Sequence, residues 1–123
     1  PAQAGLVAPF KTFLYFAKQH TTMIVADFAT IPMGTGTSAS HYVLAVHDIL
    51  RQSGIKFAAG PMSTAIEVSS FQELFEIIEM ANKKLAEMGA KRIITSVHID
   101  YRMDKEATIK SKMGINGVFG KLQ

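Results

Sequence analysis

Regular alternation of apolar and polar positions begins at Met23. In Met23–Pro32 (MIVADFATIP), Ile24, Ala26 and Phe28 fall on one side of an extended chain, and Val25, Asp27 and Ala29 fall on the other. That period of two predicts a strand. The uncharged Gly34–Ser38 run predicts a loop, with Ser38 or Ser40 suited to cap the helix that follows. His41–Ser53 has helical spacing with Val43, Val46, Ile49 and Leu50 expected inward, and Gly54 is placed to terminate it. Ile55–Ala59 reads as a short strand, and Gly60-Pro61-Met62 turns the chain into Ser63–Val68. There Thr64, Ile66 and Val68 alternate with Ser63, Ala65 and Glu67. Ser70–Met88 carries the clearest helical stripe, at Phe71, Leu74, Phe75, Ile78, Leu85 and Met88, and Gly89 ends it. Lys91–Arg102 alternates again, with Ile93, Thr95, Val97, Ile99 and Tyr101 opposed to Arg92, Ile94, Ser96, His98, Asp100 and Arg102.

The order is β-α-β-β-α-β. Two helices with one apolar stripe each and four strands with one apolar face predict an α+β fold. Its expected form is a ferredoxin-like β-α-β-β-α-β two-layer sandwich with one antiparallel four-stranded sheet. Residues 23–113 form the expected domain, residues 1–22 an N-terminal extension, and residues 114–123 a tail. Within the extension, Phe10, Phe13, Leu14 and Ala17 have the spacing of a short amphipathic helix after Pro9. No basic stretch precedes its apolar part, so a signal peptide is not expected.

Composition narrows the function classes. The 123 residues contain no cysteine, which excludes disulfides, thiolate metal sites and thiol nucleophiles. Lys11, Lys18, Asp27, Arg51 and Lys56 interrupt every stretch that approaches the ~18 apolar residues of a membrane span. The net charge of +3 is uneven: the two ends are basic and residues 23–90 are slightly acidic. A nucleic-acid binder gathers its basic charge on one folded face, and this distribution does not.

In the expected topology the helices cover one sheet face and leave the other bare. The bare face would present Val25, Asp27 and Ala29; Ser63, Ala65 and Glu67; and Ile94, Ser96, His98, Asp100 and Arg102. It lacks the central aromatics on which an RNA-recognition module stacks bases. Small residues at its centre leave room for a flat ligand or another subunit. The Gly34–Ser38 loop suits either a phosphate or a tight turn, and it is not a P-loop because no Lys follows its second glycine. His98 and Asp100 point the same way, with Asp27 or Glu67 available from adjacent strands. His20, His41 and His47 are dispersed and fit surface positions. A carboxylate at Glu67 or Asp27, if covered, must be paired or matched to a cation.

Three blocks carry a resemblance. Ile31–Ser38 (IPMGTGTS), Gly60–Glu67 (GPMSTAIE) and Gly89–Arg102 (GAKRIITSVHIDYR), followed by Asp104-Lys105-Glu106 and Lys110–Met113, resemble the small thiamine-binding protein family over about residues 23–113. The resemblance implies a stand-alone ferredoxin-like domain that assembles as a homodimer or homotetramer. It implies binding of thiamine (vitamin B1) or its hydroxymethylpyrimidine moiety, with no catalytic residue, no metal and no cofactor. A cytoplasmic protein without nucleic-acid or membrane partners is expected. Thiamine joins an aminopyrimidine to a cationic thiazolium. A carboxylate or hydroxyl can bind the first, and a negative or aromatic environment suits the second. Residue type, predicted face and the resemblance together give the candidate ligand-binding residues Asp27, Thr35, Thr37, Ser38, Met62, Thr64, Glu67, Ser96 and His98. Glu67 is expected to matter most, with pairing to Arg102 or His98 across a subunit boundary as its structural alternative. Two other classes stay open: an enzyme using His98, Asp100 and Glu67 for acid–base work, and a purely structural or regulatory oligomer whose bare face is all interface.

Overall fold

The computed structural model describes residues 23–115. The expected extension 1–22, with its helix after Pro9, and the tail beyond residue 115 lie outside the described residues. The elements are β1 (Ile24–Met33), α1 (Ser40–Gln52), β2 (Lys56–Ala59), β3 (Thr64–Val68), α2 (Phe71–Glu87), β4 (Arg92–Asp100) and α3 (Ile109–Ile115). The strands form one sheet in the order β2-β3-β1-β4, every pair antiparallel. This is the expected ferredoxin-like sandwich, with α3 added after the last strand.

β1 is an inner strand, and its alternation gives its first half an apolar face. Ile24, Ala26 and Phe28 meet Ile66 and Val68 from β3 and the inner sides of both helices in one continuous core. Leu50, Ile66, Leu74 and Leu85 are completely buried there. The register places Phe28 opposite Thr64 on one side and opposite Val97 on the other.

α2 sits rotated from the expected stripe, whereas α1 keeps its direction and buries a partly different set of side chains. α1 buries Tyr42, Val46, His47 and Leu50, while Val43 is exposed and Ile49 only half-buried. α2 buries Leu74, Ile77, Ala81 and Leu85, and leaves Phe75 53% exposed. A period of 3.6 defines an apolar stripe but not its centre. Packing against the sheet and the other helix fixes the centre, and small Ala81 lies in the contact. Phe75 instead stands beside Phe71, at 6.3 Å between rings, and Phe71 meets Tyr101 edge-on at 5.1 Å.

The helix starts differ as well. Ser70 caps α2: its Oγ accepts the Glu73 N–H at 3.1 Å, and the Glu73 carboxylate accepts the Ser69 N–H at 3.0 Å. Neither Ser38 nor Ser40 caps α1. The N-cap is Ala39, whose carbonyl accepts from Tyr42 and Val43 at 3.1 Å, and the two serine hydroxyls lie 3.5 Å from each other. The chain already turns at Ala39, with φ −117° and ψ 0°, so the first turn closes through the backbone. Gly54 ends α1 in the left-handed region at φ +69°, where the Ile55 N–H returns to the Leu50 carbonyl at 3.0 Å.

Leu74→Ala is expected to lower stability by about 2–5 kcal/mol, and Phe75→Ala, at a half-exposed site, by about 1 kcal/mol or less. Urea denaturation of both variants checks the rotated face of α2.

Candidate functional site

β1 is ten residues long and β3 only five. Beyond Phe28, β1 therefore loses its β3 partner and continues paired to β4 alone, through Met33 opposite Arg92. The turn between β2 and β3 fills part of the vacated place. Its Gly60 N–H donates to the Ser63 carbonyl at 2.9 Å, and a Cβ on Gly60 would sit 2.9 Å from that same oxygen. Only glycine fits without moving the turn.

The space left between this turn, the end of β1 and the start of α1 is a cavity of about 150 Å³. Phe28, Ala29 and Thr30 line it from β1, Gly60–Thr64 from the turn and β3, and Val43 and Val46 from α1. Its lining has apolar side chains, three hydroxyl residues (Thr30, Ser63 and Thr64) and no charged side chain. An apolar cavity of that size holds one benzene-sized ring. A neutral heteroaromatic ring satisfies both the apolar walls and the hydroxyls, whereas a phosphate or carboxylate would find no cation there. Met62, 86% exposed, lies on the turn with a flexible thioether available to a ligand.

Behind the hydroxyl wall stands a residue expected at the surface. His47 is 8% exposed, its Nε2 lies 3.1 Å from Thr64 Oγ1, and its ring stacks on Phe57 at 5.2 Å. Burial pushes its pKa below the ordinary imidazole value; the nearby Arg51 cation adds to this, and Asp48 opposes it. His47 is therefore neutral at pH 7. Position 47 lies one turn before buried Leu50, on the side of α1 that meets the sheet, and that spacing already made it part of the stripe.

The nine sequence candidates separate by location. Met62 and Thr64 line the cavity. Thr35, Thr37 and Ser38 follow β1 in the loop and lie outside the cavity lining. Asp27, Ser96 and His98 are on the opposite sheet face, where Asp27 and His98 are directly opposed and Ser96 faces Ala29.

Glu67 also lies on that second face, and that face is not bare. Ala107 and Ile109 pack on Val25, with Ala58 and Ala65 at the edge, so that α3 covers one end of the sheet. Glu67 is buried beneath it, and the Ile109 N–H donates to its Oε1 at 2.6 Å. Asp100 pairs with Lys112 from the same helix. Arg102, the alternative partner for Glu67, is instead paired with Asp104, through Nε to Oδ1 at 2.8 Å and through its second nitrogen to Oδ2. Periodicity could place Glu67 on this face but could not reveal what covers it. Among the described residues, no group of three His, Asp or Glu side chains is arranged to hold a metal ion, and no helix is long and apolar enough to cross a membrane.

The described residues form a ferredoxin-like domain whose cavity has room for a small flat ligand. Residues 26–115 match the thiamine-binding protein family, and the chain belongs to it. A Bacillus subtilis relative, UPF0045 protein YqgV, is 38% identical over 96 residues, covering 74% of this chain and 91% of its own. Among solved structures, a hypothetical protein of Methanocaldococcus jannaschii superposes with a TM-score of 0.70 at 29% identity, over 77% of this chain and 96% of its own. A candidate thiamine biosynthesis or salvage protein from Thermotoga maritima shares the fold, with a TM-score of 0.66 at 20% identity, over 76% of this chain and 98% of its own.

Glu67→Ala leaves the Ile109 N–H without its buried acceptor and is expected to cost about 1–3 kcal/mol. Glu67→Gln keeps an acceptor oxygen and costs less. Amide hydrogen exchange should show the loss of protection concentrated at Ile109–Met113.

Proposed function

We propose that this protein binds thiamine or its hydroxymethylpyrimidine moiety without catalysing a reaction, as a cytoplasmic homodimer or homotetramer. The observation that carries the reading is the cavity beside the Gly60–Thr64 turn. It has the volume of one six-membered ring, neutral apolar walls and a hydroxyl edge. The pyrimidine ring enters, its amino group and ring nitrogens meet hydroxyls, and the thiazolium stays at the mouth near Met62. That mouth is open to water, so the cation is not desolvated. Membership in a family named for thiamine binding supports the same ligand. Acid–base catalysis by His98, Asp100 and Glu67 is disfavoured, because Glu67 is committed to the Ile109 amide and Asp100 to Lys112.

The far end of the α3 face supports self-association. Ile31 and Ile94 are directly opposed across β1 and β4, 48% and 42% exposed, with Met33 beside them. β4 is also an edge strand of nine residues, with one row of backbone groups unpaired within the sheet. A second copy covers that apolar end and gives Ser96 and His98 interface partners.

Calorimetric titration should show saturable binding of thiamine and of free hydroxymethylpyrimidine. Val43→Trp, which plugs the cavity from the exposed side of α1, should abolish the heat of binding without lowering the melting temperature. Full binding by the plugged variant would discard the cavity. Light scattering at micromolar concentration should give a dimer or tetramer, and a monomer would discard the assembly.

A further inference from the structure

The hydroxyl wall of the cavity has a direction, and His47 supplies it. Thr64 is buried and lies on a strand paired on both sides, opposite Phe28 and opposite Ala59. Among the described residues, His47 Nε2 at 3.1 Å is the one hydrogen-bond partner of its hydroxyl. A hydroxyl has one proton to donate and two lone pairs to accept with. For a hydroxyl as buried as that of Thr64, the proton goes to the adjacent imidazole nitrogen when that nitrogen is bare. Oγ1 then has only lone pairs to offer the cavity that Thr64 lines.

We propose that His47 sets the hydrogen-bond polarity of the cavity: by taking the Thr64 hydroxyl proton it leaves Oγ1 as an acceptor, so the site selects a six-membered heteroaromatic ring presenting an amino group over the same ring presenting a carbonyl. This selection rests on the ring-binding reading above and specifies which edge of the ring is recognised. A lining of hydroxyls without His47 would accept either edge, because a free hydroxyl rotates to suit. Discrimination requires the proton to be held elsewhere.

The surroundings of His47 favour its neutral form, the state in which Nε2 is able to accept. Arg51 and Asp48, ion-paired with each other at 2.9 Å, are the charged groups acting on it, both from its own helix. β2 presents Phe57 and β3 presents Thr64, neither charged, and α2 turns Leu74, Ile77, Ala81 and Leu85 into the core. Protonation would reverse the arrangement. An imidazolium can only donate, so Nε2–H would occupy an Oγ1 lone pair and release the Thr64 proton toward the cavity. The burial that lowers the His47 pKa places this reversal below pH 6.5.

The test compares thiamine with oxythiamine, in which a carbonyl replaces the pyrimidine amino group, by calorimetry on the full chain at pH 7.5 and pH 5.5. Thiamine is expected to bind about tenfold more tightly at pH 7.5, with the preference shrinking as falling pH protonates His47. His47→Phe keeps the ring stacked on Phe57 but removes the acceptor, so the preference and its pH dependence should both collapse. Titration of the compounds themselves is common to both proteins and cancels in the comparison. Thr64→Ser should retain the preference and Thr64→Val should lose it. Without any ligand, imidazole nitrogen shifts in labelled protein at pH 7.5 should show the proton on Nδ1 and Nε2 bare. A proton on Nε2, or an undiminished preference in a His47→Phe variant that melts like the parent, overturns the proposal. Failure of both compounds to bind at either pH overturns the thiamine reading and the ligand preference with it, while the nitrogen shifts still decide the direction of the Thr64 proton.

Discussion

The structure depends on the pairing of β1. It is the longest strand, hydrogen-bonded on one side to β4 along nearly its whole length and on the other to β3 only as far as Phe28. The first half is locked between two neighbours, and its Ile24, Ala26 and Phe28 form the floor of the core. The second half outruns β3, and the resulting notch receives the Gly60–Ser63 turn and the first turns of α1. A sheet with strands of matched length would have closed that notch with side chains. The mismatch leaves a ring-sized space instead.

The two sheet faces have different chemistry. The helix side carries the core and, at its margin, a cavity with no charged lining and a buried neutral histidine behind it. The opposite side gathers the sheet's carboxylates, at Asp27, Glu67 and Asp100. α3 neutralises two of them, with an amide N–H on Glu67 and an ammonium on Asp100. A buried carboxylate without such a partner would be costly. The contact therefore fixes where α3 docks as much as α3 shields Glu67. What remains exposed on this side is Ser96, His98 and the apolar Ile31–Ile94 end.

The candidate site was partly legible. The motif at the β2–β3 turn, which lines the cavity with Met62 and Thr64, stands out in the chain by its glycine and proline, whereas the equally distinct motif after β1 lies outside the lining. The bare sheet face nevertheless drew attention away, because small residues and acids there have the composition of a ligand surface. His47 was assigned to the surface because polar side chains usually lie there. Yet its spacing from Tyr42, Val46 and Leu50 is that of a buried stripe, and one hydroxyl partner offsets the cost of burying its ring nitrogen.

The sequence by itself determined the element order through β4, the sheet face of every strand residue and the stop of α2. These follow from periods of 2 and 3.6 and from the local chemistry of Gly89, none of which needs a distant partner. Tertiary structure alone decided the rotation of α2, the burial of Glu67 beneath a helix 42 residues further along, and the meeting of His47 with Thr64 across 17 residues. Periodicity states which residues share a face. It carries no information about which distant segment covers that face, because the energy that selects the cover comes from contacts formed only once both segments are in place.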